Sequence, residues 1–203
     1  MRLPSDAALI LVDLQLAIDD EGWGPRNNPH AEKAIAALLA AWREEGLPIV
    51  HIRHDSVEPG SPYRPDRASH AFRPETAPRP GEAVVGKRAH SAFVDTALEE
   101  TLDGLGATTL VICGVLTHNS VEATARHAAD LGYRVFVVAD ACWAVAIADG
   151  AGGSWPAELV HRFALACLAG EYAAVVDAEM TLAAVRLAKQ RLRSKETPAG
   201  TGD

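Results

Sequence analysis

Three cysteines in 203 residues, at positions 113, 142 and 167, are too few and too unevenly spaced for a disulfide framework or a cysteine-built metal site. Their scarcity fits a reducing compartment, so a cytoplasmic protein is expected. Basic residues are short as well: 19 Lys and Arg stand against 27 Asp and Glu, for a net charge of -8. Nucleic-acid binding leans on a basic surface to neutralise phosphates, and this balance argues against it. No apolar run approaches the roughly 18 residues of a membrane span. The opening residues, MRLPSD, reach a strand pattern too soon to hold a secretory signal. No Gly-x-Ser-x-Gly elbow occurs, and no glycine cluster follows a strand to cradle a phosphate. A serine enzyme of the α/β-hydrolase type and a flavodoxin-like cofactor protein are thereby disfavoured.

What is present is apolar and periodic. At 48% hydrophobic the chain can bury one substantial core. A single domain over 1–193 is expected, followed by a disordered polar tail, SKETPAGTGD, over 194–203. Short apolar runs at 7–12, 48–53, 83–86, 109–113, 134–139 and 171–176 read as buried strands. Between them lie helical stripes: 31–42, ending at Gly46; 94–105, ending near Gly106; 121–131; a helix opened by Pro156 with Leu159, Phe163, Ala166 and Cys167 inward; and 178 to about 193. The segment 58–80 holds six prolines and reads as a lid or an interface segment. Strands alternating with helices call for a mostly parallel sheet covered on both faces.

Chemistry concentrates where strands end. In open α/β sheets ligands sit at the carboxyl edge, and three apolar strands deliver Asp13 (VDLQ), Lys87 (VVGKRAHSAF) and Ser120 (GVLTHNSVEATAR) towards that edge. A carboxylate, an ammonium and a hydroxyl brought together can move protons and activate a nucleophile. Ser120 also falls at the start of a helix, where unpaired N–H groups favour a developing anion. Plainer readings stand beside these. Asp13 and Lys87 also suit a buried structural ion pair, and Ser120 with Asn119 and Thr117 suits a helix cap. His54, Asp55 and Ser56, after the second strand, are candidate substrate contacts or turn residues. Trp23, Phe93 and Trp143 suit either pocket walls or core packing.

These motifs resemble the isochorismatase-like superfamily of cysteine hydrolases. The matching segments are VDLQ, Lys87 to Phe93 (KRAHSAF), Cys113 to Thr117 (CGVLT) running into Val121 to Arg126 (VEATAR), Leu131-Gly132-Tyr133 and Val138 to Ala141 (VADA). The resemblance implies a three-layer α/β/α sandwich with a six-stranded, mostly parallel sheet. It implies catalysis by Asp13, Lys87 and a nucleophile at 120, a cis peptide at Val115-Leu116, and an oxyanion hole from the N–H groups of Leu116 and Ser120. Gln15, Trp23, His54, Phe93, His118 and Trp143 become the candidate substrate contacts, with His118 also able to meet a neighbouring subunit in a homodimer or homotetramer. Nicotinamidases of the superfamily hold a metal near the second strand's end. Here His51 and His54 lie there without the Asp-x-His pattern, and a spacing of three sends them to opposite faces, so neither metal nor cofactor is expected.

The chain departs from the superfamily at one position, since Ser120 stands where the resemblance puts cysteine. Three readings follow: a small-molecule hydrolase cleaving an amide or carbamoyl-type C–N bond through Ser120; ether hydrolysis by acid catalysis from Asp13 with no covalent step; or a silent member kept for binding or assembly.

Overall fold

The computed structural model describes residues 3–196. Six strands form one parallel sheet: β1 (Ala8–Val12), β2 (Ile49–His54), β3 (Ala83–Lys87), β4 (Thr109–Val115), β5 (Arg134–Trp143) and, after the short β6 (Ile147–Ala148) and β7 (Ser154–Trp155), β8 (Ala174–Val176). Their order is β3-β2-β1-β4-β5-β8, and every neighbouring pair runs parallel. The central β1 and β4 are wholly buried, which is why they read as unbroken apolar runs instead of alternating ones. Helices α1 (Ala31–Glu45) and α5 (Ala178–Glu196) pack together on one face, and α3 (Glu122–Asp130) and α4 (Ala157–Leu168) on the other. The short α2 (Leu98–Gly104) links β3 to β4. The three-layer sandwich is the architecture expected.

Local details differ from the sequence reading. The helix expected from Val94 begins only at Leu98, because Asp95 adopts φ +53°, a left-handed conformation no α-helix accommodates. The glycine-rich stretch after Ala148 closes a small antiparallel ribbon, β6 with β7, around Asp149, whose carboxylate accepts from the N–H groups of Ala151 and Gly153. In α4 the expected inward face is wrong by one step of the helix: Val160, His161, Ala164, Leu165 and Leu168 are buried, while Leu159, Phe163 and Ala166 face out and Cys167 is half-buried. His161 is drawn inward by a hydrogen bond to Thr117, and the small Ala157 and Ala164 let the helix sit close, leaving the bulky ridge outside. Helix α5 includes Ser194 to Glu196, which the sequence reading assigned to the tail; 197–203, the rest of that tail, lie outside the described residues. No described helix is long and apolar enough to cross a membrane.

One glycine fixes how the two central strands meet. Gly114 faces Val12 in the β1–β4 register at φ +119°, and a Cβ there would stand 2.3 Å from the Val12 carbonyl oxygen and 2.7 Å from its nitrogen. The contact is backbone against backbone, so nothing can swing aside. It also lies one residue before Asp13 and two before Leu116. Gly132 offers a control, since its φ is +91° and no atom lies within 4 Å of an added Cβ. Gly114→Ala is expected to cost at least about 3 kcal/mol in urea unfolding, or to prevent folding, while Gly132→Ala costs about 1–2 kcal/mol. Equal losses at the two positions would show that the close approach of β1 and β4 is not what Gly114 serves.

Candidate active site

The carboxyl edge of the sheet gathers the three residues picked out from strand ends. β1 and β3 do not touch, since β2 lies between them, and Lys87 spans that gap with its long side chain. Its Nζ lies 2.8 Å from Asp13 Oδ2 and donates to Ser120 Oγ at 3.0 Å and to the Ala89 carbonyl at 3.1 Å. All three side chains are buried, and Asp13 Oδ1 has no hydrogen-bond partner among the described residues. A buried carboxylate oxygen left open costs stability unless something comes to meet it.

Each member is held locally. Asp13 sits at φ +53°, a conformation Asp tolerates better than most residues; its N–H donates to Ile52 and its carbonyl accepts from Gln15 N and the Tyr63 hydroxyl. Ser120 lies in one turn of π-helix, Thr117–Val121, that enters α3, and the peptide before that turn, Val115-Leu116, is cis. Thr117 Oγ1 is 2.8 Å from His161 Nδ1 on α4, which ties the turn to the helix beside it. Asn28 donates to the carbonyls of Ala139 and Cys142 and reaches His161 Nε2 at 3.4 Å. The loop after β3 is pinned to α3 by the Ala92 N–H on Thr124 Oγ1.

The other candidates divide. His54 Nδ1 lies 3.4 Å from Lys87 Nζ; burial first, then the Lys87 charge, lowers its pKa and keeps the ring neutral. Its ring meets Tyr63 edge-on, Tyr63 meets Trp23 in the same way, and the three form an aromatic wall reaching out from Lys87. Gln15 is engaged with the protein itself: its amide donates to the carbonyls of His54 and His70 and accepts from His54 N–H at 2.7 Å, clamping the proline-rich segment to the end of β2. Trp143 is buried beneath the Arg26 guanidinium, 4.0 Å from its ring centre. Phe93 packs on His127, about two turns along α3 from Ser120, and on Tyr133. His118 lines a groove against α4. Asp55 is bound to Arg53 and His70; burial works to raise its pKa, but those two partners outweigh it and lower it. Ser56 accepts from the N–H of Glu58, two residues on.

His51 points away from His54, as their spacing required, and meets Glu82 at 2.9 Å. Burial acts to raise the Glu82 pKa, yet Arg43, the Arg79 N–H and His51 together bring it down to about 2. Among the described residues no three His, Cys, Asp or Glu side chains are grouped to hold a metal ion. Burial also pushes the thiols of Cys113 and Cys142 up, the latter to about 12, so both strand cysteines are poor nucleophiles.

Sequence reasoning missed Tyr63, Asn28 and His161. Tyr63 is a large aromatic residue in a segment otherwise poor in them, and Asn28, at φ +46°, lies in a loop of Gly, Pro and Asn. Those are weak signals, because the partners of both are distant in the chain.

The Isochorismatase domain family matches residues 7–180. The chain belongs to the isochorismatase family. An isochorismatase-family hydrolase from Chromobacterium violaceum is 49% identical and superposes with a TM-score of 0.88 over 92% of this chain and 97% of that one. Isochorismatase family protein YrdC of Bacillus subtilis is 35% identical over 175 residues, 86% of this chain and 94% of that protein. Ureidoacrylate amidohydrolase RutB of Methylobacterium radiotolerans is 31% identical, covering 68% of this chain and 67% of the enzyme. The family is one of hydrolases, amidohydrolases among them.

The Gln15 clamp can be tested apart from any chemistry. Gln15→Met keeps the length of the side chain but leaves one N–H and two carbonyls without their partner, and about 2–4 kcal/mol of stability should be lost. Thermal unfolding followed by circular dichroism reads this directly. An unchanged Tm would mean that the proline-rich segment is held by its other contacts alone.

Proposed function

We propose that this isochorismatase-family chain hydrolyses a C–N bond in a small amide or carbamoyl-type molecule, with Asp13, Lys87 and Ser120 as its catalytic residues. The observation that carries this reading is the Lys87 ammonium set between Asp13 Oδ2 and Ser120 Oγ, beside an Asp13 oxygen that is buried and open. The similarity to an amidohydrolase supports the choice of bond.

In this reading Ser120 Oγ attacks the carbonyl carbon and Asp13 takes the hydroxyl proton. The Leu116 and Ser120 N–H groups hold the oxyanion. Collapse expels the amine, which leaves with the proton from Asp13, and a water then cleaves the acyl ester and restores the hydroxyl. Lys87 keeps Asp13 oriented and offsets negative charge as it builds. Trp23, Tyr63 and His54 line the approach.

A second reading has its own support. Lys87 donates to Ser120 Oγ and so draws electron density from the oxygen that would attack. If Ser120 only orients groups, Asp13 protonates the oxygen of an enol ether and water completes the cleavage, with no covalent intermediate.

Turnover assays on amide, carbamoyl and enol-ether panels separate these routes. Asp13→Asn is expected to lower kcat/KM by about 10²–10⁴-fold on any substrate found; full activity in that variant removes Asp13 from the reaction. Ser120→Ala is expected to lose activity by a comparable factor, and intact-mass spectrometry of the parent should show an acyl adduct. Near-full activity of Ser120→Ala, with no adduct, establishes the non-covalent route instead. A parent inactive on every panel, beside a Ser120→Cys variant that gains amidase activity, would leave a binding or assembly role.

A further inference from the structure

Lys87 has more neighbours than its protons can serve. An ammonium carries three N–H donors and no acceptor, yet four acceptors surround Nζ: Asp13 Oδ2 at 2.8 Å, Ser120 Oγ at 3.0 Å, the Ala89 carbonyl at 3.1 Å and His54 Nδ1 at 3.4 Å. The first three lie at ordinary hydrogen-bond lengths and the fourth is long. We propose, building on C–N hydrolysis through Ser120, that His54 is a positioning residue for Lys87: its Nδ1 takes over the ammonium N–H that Ser120 Oγ gives up on attack, which frees the serine to act as nucleophile.

The ring is held where this requires it. In the β2–β3 pairing His54 lies opposite Lys87. Gln15 fixes its main chain from both sides, accepting from the His54 N–H at 2.7 Å and donating to the His54 carbonyl at 3.2 Å. The buried Tyr63 meets the imidazole edge-on, with ring centres 5.5 Å apart. A nitrogen facing an ammonium is an acceptor, so the neutral ring keeps its hydrogen on Nε2 and turns the Nδ1 lone pair to Lys87. Burial foremost, and then the Lys87 charge, lower the His54 pKa; His90 acts in the same direction, and Asp13 and Asp55 oppose it. The acceptor is therefore present at neutral pH.

The demand for it arises during the reaction. While Lys87 donates to Ser120 Oγ, the attacking oxygen is held back. Once Oγ has bonded to the acyl carbon it is an ester oxygen, a poorer acceptor than a hydroxyl, and a buried charged donor left without a partner is destabilising. The N–H that pointed at Ser120 then turns to Nδ1, which an approach of a few tenths of an ångström brings to normal length. No proton passes between Lys87 and His54. The serine proton goes to Asp13 and from there to the leaving amine, and the contact with Asp13 Oδ2 keeps the ammonium in place throughout.

Three substitutions separate the two ring nitrogens. His54→Asn sets an amide where Nδ1 lies, His54→Gln reaches only the place of Nε2, and His54→Phe keeps a ring against Tyr63 but has neither nitrogen. On a substrate drawn from the amide and carbamoyl panels, His54→Phe and His54→Gln should lose about 10- to 100-fold in kcat with KM within about 2-fold, and His54→Asn should recover most of that loss. The ratio of kcat between the parent and His54→Phe should shrink towards one as pH falls below the usual histidine value, because a protonated His54 no longer accepts; Asp13, Asp55, His90 and Lys87 are present in both proteins. Nitrogen-15 NMR of the parent, which needs no substrate, should show His54 as the Nε2–H tautomer. An Nδ1–H tautomer overturns the proposal, as does a rise in KM alone. His54→Gln matching the parent while His54→Asn fails makes His54 a substrate contact through Nε2 and overturns it equally. A parent that forms an acyl adduct, beside a His54→Phe variant with full kcat, removes this role alone; a parent that forms no adduct removes the covalent reading and this role with it. Circular dichroism shows which variants have folded, and the tautomer of the parent decides if none has.

Discussion

The Asp13–Lys87 contact is the constraint on which the rest of the molecule depends. Two oppositely charged groups are taken out of water at the edge of the sheet, and their attraction offsets the desolvation only if the geometry is close and the other donors are satisfied. Lys87 meets both conditions, with its protons directed to Asp13, Ser120 and Ala89. Either partner alone would be an uncompensated buried charge, costing on the order of 3–5 kcal/mol. The strand order is compatible with the same demand. With β2 between β1 and β3, a lysine has the reach to join them, and β4 next to β1 brings Ser120 to the same place. The structural and the chemical readings of this pair are therefore not rivals. The pair closes the edge of the sheet, and among the described residues Asp13 Oδ1 has no hydrogen-bond partner.

Much of the surrounding chain keeps that edge closed and fixed. The proline-rich segment reads in sequence as a lid, and in the structure it is seated: Leu16 N–H donates to Ala71, Arg73 N–H to Leu14, and Gln15 holds His70. The Arg73 guanidinium adds ion pairs to Asp19 and Glu75. The prolines suit this role, since residues already limited in φ lose less freedom when docked. Tyr63 is carried in by this segment and seals the main chain of Asp13 with its hydroxyl; burial foremost, and then the Asp13 charge, push its pKa well above that of a free tyrosine. The hydroxyl stays protonated and acts as a fixed donor.

The parts of this arrangement that were legible in the sequence are those set by local pattern. Unbroken apolar runs located the strands, and the polar residue ending each run located Asp13, Lys87 and the turn with Ser120, because a parallel sheet brings strand ends together whatever the intervening sequence. Contacts between distant segments were not legible. Nothing near Gln15 shows that its amide will be engaged by His54 and His70, and nothing near His161 shows that Thr117 will draw it inward. That second contact misled the reading of α4. Phe163 is the largest apolar residue of the helix, and hydrophobicity alone turns it and Leu159 inward. One buried histidine and two small alanines decide otherwise. Phe93 likewise has partners distant in the chain: its ring packs on His127 and Tyr133.

Ser120 bears most directly on how such a site works. An ammonium 3.0 Å from an oxygen favours negative charge there. A thiol gives up its proton near neutral pH and would meet that ammonium as a thiolate in the resting state. A hydroxyl does not, so the same Lys87 stabilises charge at position 120 only while the proton is leaving. Any nucleophilic role for Ser120 thus depends on a base acting at that moment, and in the proposed reading that base is Asp13, whose Oδ1 has no hydrogen-bond partner among the described residues. The same ammonium also holds Asp13, at 2.8 Å from Oδ2. Positions 120 and 13 therefore share one cation, and under the proposed hydrolysis the two routes differ in whether the serine or water forms the new bond.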